Sequence, residues 1–289
     1  MHIISASRRT DIPAFYAKWF MNRIRAGSVR YANPFGGQVC SVSLQPQDVH
    51  SIVFWSKYYG PLLPHLDELA ERGYHACFHY TITGAPRQLE PHVPDWTTAV
   101  RVVHQLAERS SPRHVFWRFD PILLTDHCTA EWYIDRFRII ADALAGATHR
   151  CYFSFACLYG KVIGRLKHAG VHYDEPSAEM KQKIVEAMAD IAEQRGIGLY
   201  ACCQDDVLGG RVQKAHCVDA DLLTDLFPDR PMAFEHRPTR RQCGCMASRD
   251  IGMYDTCPYA CLYCYANGSA ERSMQRFRQH DPTAEVLIP

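Results

Sequence analysis

Short apolar runs of strand length alternate with segments of helical spacing along roughly the first 200 residues of the chain, and that order restricts the fold more than any other feature. Ile3–Ser7, Ser51–Lys57, His75–Thr83, Val115–Ile122, Cys151–Leu158 and Gly198–Cys202 read as strands. Between them the spacing predicts helices over Ile12–Ala26, Leu62–Arg72, from an Asp95 cap to Arg109, over Glu131–Ala145 after a Thr129 cap, and from a Ser177 cap to Gln194. Strands that alternate with crossover-length helices are parallel neighbours in an α/β fold. The expectation is a full or partial (β/α) barrel, with an open doubly wound sheet as the alternative. In either fold a site gathers at the carboxyl ends of the strands, here Ser7 to Asp11, Lys57, Thr81, Thr83, Arg118, Asp120 and Leu158 to Lys161. After about residue 204 the alternation stops. This divides the chain into a barrel core over 1–204 and a cysteine-rich part over 205–289 that closes it, with a loosely held tail after Asn267.

Cysteine usage carries the chemistry. The 289 residues include 13 cysteines, 32 basic and 31 acidic residues, and the net charge of +1 gives no general attraction to nucleic acid or membrane. No apolar stretch reaches the length of a membrane span, and the N-terminus lacks a secretion pattern, so a cytoplasmic location is expected. Clustered cysteines in a reducing compartment are metal ligands rather than disulfides. Cys40, Cys77, Cys128, Cys151 and Cys157 stand alone, mostly in apolar runs, and read as buried thiols. Cys257, Cys261 and Cys264 follow a C-x3-C-x2-C spacing. Three thiolates on a tight loop hold three irons of a [4Fe-4S] cluster and leave the fourth open to a chelating small molecule. Zinc is the alternative, but no fourth ligand follows closely, and His280 lies far along the tail. Cys243-Gly-Cys245, Cys217 and one of the adjacent Cys202 and Cys203 make a possible second metal site, iron–sulfur or zinc. Two adjacent cysteines do not easily face one centre. The plainer alternative is a set of buried and loop thiols.

The C-x3-C-x2-C run, with aromatic Tyr263 before the third cysteine, resembles the signature of the radical S-adenosylmethionine superfamily. Four stretches also resemble a bacterial family of unknown function related to spore photoproduct lyase: Ser7 to Pro13, Phe54 to Lys57, Trp117 to Pro121, and Ser248 to Gly252 running into the cysteines. The resemblance implies a [4Fe-4S] cluster, S-adenosylmethionine as cofactor, a 5′-deoxyadenosyl radical that abstracts hydrogen, and a flavodoxin- or ferredoxin-type electron donor. In that superfamily the cysteine loop follows the first barrel strand, whereas here it lies near the C-terminus. A circular permutation accounts for this. A strand around Ile251–Asp255 would then be the first of the barrel, with Ile3–Ser7 parallel beside it. On that order Ser5 and Ser7 would hold the methionine amino group, Thr81 and Thr83 the ribose, Arg118 the methionine carboxylate and Tyr263 the adenine. The kinship points to nucleic acid as substrate, and Arg237, Arg240 and Arg241 offer a small basic run for phosphate. The competing function is a non-catalytic, metal-stabilised module that binds a protein or nucleic-acid partner.

Overall fold

The computed structural model describes residues 1–34 and 36–288. Among them are ten strands: β1 (His2–Ala6), β2 (Ser28–Ala32), β3 (Val39–Ser43), β4 (Val49–Ser56), β5 (Ala76–Thr81), β6 (Val115–Ile122), β7 (Arg150–Phe155), β8 (Gly198–Ala201), β9 (Val212–Lys214) and β10 (Arg249–Asp250). Eight of them form one parallel sheet in the order β10-β1-β4-β5-β6-β7-β8-β9, and β2 and β3 make a separate antiparallel hairpin. Once β10 is placed ahead of β1, spatial order and chain order coincide along the whole sheet. Ile4 pairs with Arg249 and Ser5 with Asp250, in parallel. The segment before the cysteine loop therefore lies beside the N-terminal strand, as a permuted chain requires. The strand itself is only two residues long and starts at Arg249, ahead of the expected Ile251–Asp255.

The two faces of the sheet separate the barrel reading from the doubly wound one. Ile4, Ala6, Ile52, Phe54, Phe78, Tyr80, Val115, Trp117 and Phe119 share one apolar core with the helices Ala17–Ala26, Leu66–Glu71, Trp96–Arg109, Ala130–Leu144 and Ala178–Glu193. The alternating residues Ile3, Val53, Cys77, Phe116 and Tyr152 point the other way, into a second core. That core is covered by the chain from Ala215 to Phe227 and by Cys243 and Cys245. The helices that connect successive strands all pack on the first face, as a partial (β/α) barrel demands, and among the described residues the second face carries only the short helix Ala220–Leu226; a doubly wound sheet has crossover helices on both. Strands buried on both faces also explain why their sequences are nearly continuous apolar runs.

Local chemistry sets the helix starts. The side chains of Asp95, Thr129 and Ser177 accept hydrogen bonds from the backbone N–H of Thr97, Trp132 and Met180, at 2.9, 3.2 and 3.1 Å. The first helical segment departs from expectation. It breaks at Tyr16, whose φ of −129° lies outside the helical range, giving Ile12–Phe15 and Ala17–Ala26. The tail is not loose. It forms a helix over Ala270–Arg278, and Leu287 and Ile288 are buried. Trp19 and Asn22 donate side-chain hydrogen bonds to the carbonyls of Ala284 and Pro282 at 3.0 and 2.8 Å. The part from 205 onward also supplies β9 and β10 to the sheet, so it belongs to the same framework as residues 1–204. No helix is long and apolar enough to cross a membrane, among the described residues.

A candidate metal centre and the cavity beside it

The loop leaving β10 carries Cys257, Cys261 and Cys264 to the carboxyl end of the sheet. Asp255 and Ala260 take left-handed backbone conformations, with φ of 59° and 57°. Such residues turn the chain sharply, and functional loops hold them at some conformational cost. The three sulfurs come close enough to feel one another's charge, and burial pushes the Cys257 and Cys261 thiols upward. Cys261 belongs to a small apolar cluster with Val93 and Tyr259, against which Cys257, Tyr263 and Cys264 pack. The Cys264 sulfur accepts a hydrogen bond from the backbone N–H of Ala266 at 3.3 Å.

The loop is clamped from outside by a residue that spacing alone does not single out. Arg165, on the helix Gly160–His168, donates to the carbonyls of Leu262 (2.9 Å), Asn267 (2.6 Å) and Cys264. One guanidinium fork thus holds three loop carbonyls in fixed relation. Asn267 donates to the Cys257 carbonyl at 2.7 Å, and the Leu262 N–H bonds to the Leu89 carbonyl at 3.0 Å.

Asp250 ties β10 to β1. Its carboxylate accepts from Ser5 Oγ (2.8 Å), Ser7 Oγ (2.7 Å), the Arg8 N–H (2.8 Å) and the Gly252 N–H (3.1 Å). Ser5 and Ser7 are buried, and their hydroxyls are directed at this carboxylate rather than at an open space. The reason is electrostatic: a carboxylate largely withdrawn from water needs several donors, and the pairing of β10 with β1 brings it directly to theirs. Gly252 is required by the same crowding, since a Cβ there would lie 2.0 Å from Ser7 Oγ.

A cavity of about 240 Å³ opens next to the loop, lined by Lys57, Thr81, Thr83, Gly84, Glu90 and Trp96 among others. Glu90 is its electrostatic hub. One carboxylate oxygen accepts from Lys57 Nζ (2.9 Å), Thr83 Oγ1 (2.6 Å) and the Tyr263 hydroxyl. Lys57 Nζ also lies 5.5 Å from the centre of the Tyr263 ring. Burial pulls the Lys57 pKa down, but the Glu90 carboxylate, 2.9 Å away, outweighs it and holds the ammonium charged. Asp11, beside it, accepts from Ser56 Oγ (2.6 Å) and the N–H of Lys57 (2.8 Å), while burial pushes its carboxyl up to about 6. Glu90→Gln should leave the buried Lys57 ammonium without its counter-charge. The expected loss is about 3 kcal/mol in urea unfolding, partly recovered when Lys57→Met is added. An unchanged midpoint in the single variant would show that the pair is not a stabilising contact.

Arg118 points elsewhere. Its guanidinium donates to Asp120 and to Cys217 Sγ (3.3 Å), and lies 5.4 Å from the Trp55 ring centre on the face opposite the crossover helices. It belongs with the second cysteine group and not with the Cys257 loop. In that group Cys202 Sγ and Cys217 Sγ are 3.6 Å apart. Electrostatic influence between sulfurs also links Cys217 with Cys245, Cys245 with Cys243, Cys243 with Cys203 and Cys203 with Cys202. All five cysteines thus join one ring. Both adjacent thiols take part because Cys203 adopts a left-handed conformation, φ 54°, which overcomes the usual divergence of neighbouring side chains. Of the solitary cysteines, Cys77, Cys128 and Cys151 are buried, but Cys40 is half-buried and Cys157 exposed. His280 bonds to the Leu287 carbonyl at 2.7 Å and packs on Tyr16. Among the described residues, no group of three or more His, Cys, Asp or Glu side chains could hold a metal ion as it stands.

No curated protein matches the chain. Its sequence does match a family profile across residues 3–266, which takes in the sheet, both cysteine groups and the Asp250 junction alike. The chain therefore belongs to the family described as a domain of unknown function, DUF1848.

Proposed function

We propose that the protein is a radical S-adenosylmethionine enzyme. The observation that carries this reading is the position of the cysteine loop, which leaves β10 at the carboxyl end of a parallel sheet whose strands run in order from that edge. The donor set suits a [4Fe-4S] cluster: three thiols on one clamped loop, with an N–H aimed at the sulfur of Cys264. Cys257, Cys261 and Cys264 would hold it, and when bound with S-adenosylmethionine it would supply one-electron cleavage to a 5′-deoxyadenosyl radical. The chain's own groups have separate tasks. Arg165 and Asn267 fix the loop carbonyls. The cavity of Lys57, Thr81, Thr83 and Glu90 presents an ammonium, two hydroxyls and a carboxylate to a zwitterionic, hydroxyl-bearing ligand. Tyr263, tethered through its hydroxyl to Glu90, connects the loop to the carboxylate that lines this cavity. Ser5 and Ser7 are committed to Asp250, so their part is to hold the loop's root.

Anaerobic reconstitution with iron and sulfide tests the proposal. The expected result is about four irons and four sulfides for the Cys257 group. With dithionite and S-adenosylmethionine, 5′-deoxyadenosine should accumulate. A colourless zinc protein that never cleaves the cofactor would favour a metal-stabilised binding module instead.

A further inference from the structure

The face of the sheet opposite the crossover helices holds an arrangement that the proposed reaction does not use. Five cysteines, drawn from the end of β8 (Cys202, Cys203), the segment after β9 (Cys217) and the loop before β10 (Cys243, Cys245), form one ring of sulfurs that feel one another's charge. Cys202, Cys217, Cys243 and Cys245 are buried. Hydrogen-bond donors surround the ring. Arg118 Nη1 reaches Cys217 Sγ at 3.3 Å, Arg240 Nη2 reaches Cys202 Sγ at 3.8 Å, and Thr239 Oγ1 reaches Cys243 Sγ at 3.5 Å. Arg8 lies close enough to Cys217 and Cys245 to interact with their charge, and its Nη2 is buried with no hydrogen-bond partner. Gly244 lets the C-x-C segment pass against the His216 ring, where a Cβ would lie 2.9 Å from two ring atoms.

Neutral thiols do not call for this surrounding. A thiol is a weak acceptor, and the buried Arg118 and half-buried Arg8 guanidinium groups would be costly to hold beside neutral sulfurs, while Arg240 adds a third positive charge from the exposed side. Thiolates held on a metal reverse the balance, because four of them leave a net negative centre around either zinc or a [4Fe-4S] core. Asp120 pairs with Arg118 and Asp250 lies near Arg8, which leaves Arg240 with the sulfurs as its near partners.

We propose that Cys202, Cys203, Cys217, Cys243 and Cys245 supply the ligands of a second, thiolate-held metal centre, with Arg8, Arg118 and Arg240 as its counter-charge. The sulfurs stand in a ring that does not yet enclose an ion, so binding draws four of them inward or spreads them around a cluster. This centre is independent of the Cys257 loop and stands whether or not that loop cleaves a cofactor.

The test uses the full chain carrying Cys257→Ala, Cys261→Ala and Cys264→Ala, purified without oxygen and assayed for zinc, iron and sulfide. One further centre per chain should remain, and adding Cys217→Ser with Cys245→Ser should remove it. Zinc alone means a mononuclear site; iron with sulfide means a cluster; either supports the proposal. A folded triple variant free of metal overturns it, as does recovery of Cys202 and Cys217 as a disulfide with no metal. Should the triple variant fail to fold, Cys217→Ser with Cys245→Ser in the otherwise unaltered chain should lower the metal content by one centre, and an unchanged content overturns the proposal. Arg118→Gln, a positioning change, should weaken metal retention against a chelator by roughly 10- to 100-fold while the Cys257 cluster still forms.

Discussion

Cys261→Ala is expected to abolish both the visible absorbance of the Cys257 cluster and all cleavage of S-adenosylmethionine. Cys261 is the middle one of the three proposed ligands and the most enclosed, packed with Val93 and Tyr259 and next to the Lys57 ammonium. Two remaining thiolates, Cys257 and Cys264, cannot hold three irons. No other cysteine reaches the loop to substitute, since those of the second group lie in a different core. Cleavage should fall by more than about a thousandfold, a barrier increase of over ~4 kcal/mol. The second centre should be unaffected, so iron or zinc analysis separates this loss from unfolding. Retained cleavage in the variant would remove the loop from the proposed chemistry.

Asp250→Ala should produce the largest loss of stability of any single substitution outside the apolar core. It strips a shared acceptor from two serine hydroxyls and two backbone N–H groups. Each buried donor left without a partner costs about 1–3 kcal/mol, so a total of about 4 kcal/mol is a moderate expectation. In a chain of this size that corresponds to a fall of roughly 8–16 °C in Tm. Asp250→Asn should recover only part of the loss, because an amide nitrogen faces donors where an acceptor is needed. A variant as stable as the parent would mean that β10 is held by its backbone pairing alone.

Much of the sheet was legible because its strands are buried on both faces and therefore read as unbroken apolar runs. Val115–Ile122 was found to the residue, and the Asp95, Thr129 and Ser177 caps each accept the predicted kind of backbone bond. The parallel approach of the N-terminal strand to the segment before Cys257 was expected only from the resemblance to a superfamily whose cysteine loop follows a barrel strand, and β1 does pair with β10 in parallel. The length and start of β10 were not legible. Arg249–Asp250 is too short and polar to carry a pattern, and is defined only by its partner. The β2–β3 hairpin and the helix Gly160–His168 were missed, and with that helix the clamp by Arg165.

At the sites, residue types were read better than their partners. Thr81 and Thr83 do line the cavity beside the loop. Ser5, Ser7 and Arg118 were expected against a cofactor, but face Asp250 or the five-cysteine ring. Such long-range choices follow from which charges the fold buries together, and spacing holds no record of that. Glu90 lies in an irregular stretch with no periodic signal. Cys203 was doubted beside Cys202 because a left-handed cysteine is uncommon, and only tertiary packing makes it worthwhile.

The junction of β1 with β10 also orders events in time. Ser5 meets Asp250 across 245 residues of chain, so the first strand made at the ribosome waits for nearly the last. Closing so long a loop is slow compared with pairing the strands between. The middle of the sheet, from β4 to β8, can assemble while synthesis continues. The cysteine loop takes its shape only when both edges have joined, and a chain arrested before Arg249 has neither the loop nor its anchor. The loop that carries Cys257, Cys261 and Cys264 is thus rooted only after β1 and β10 have paired, later than the strands between them.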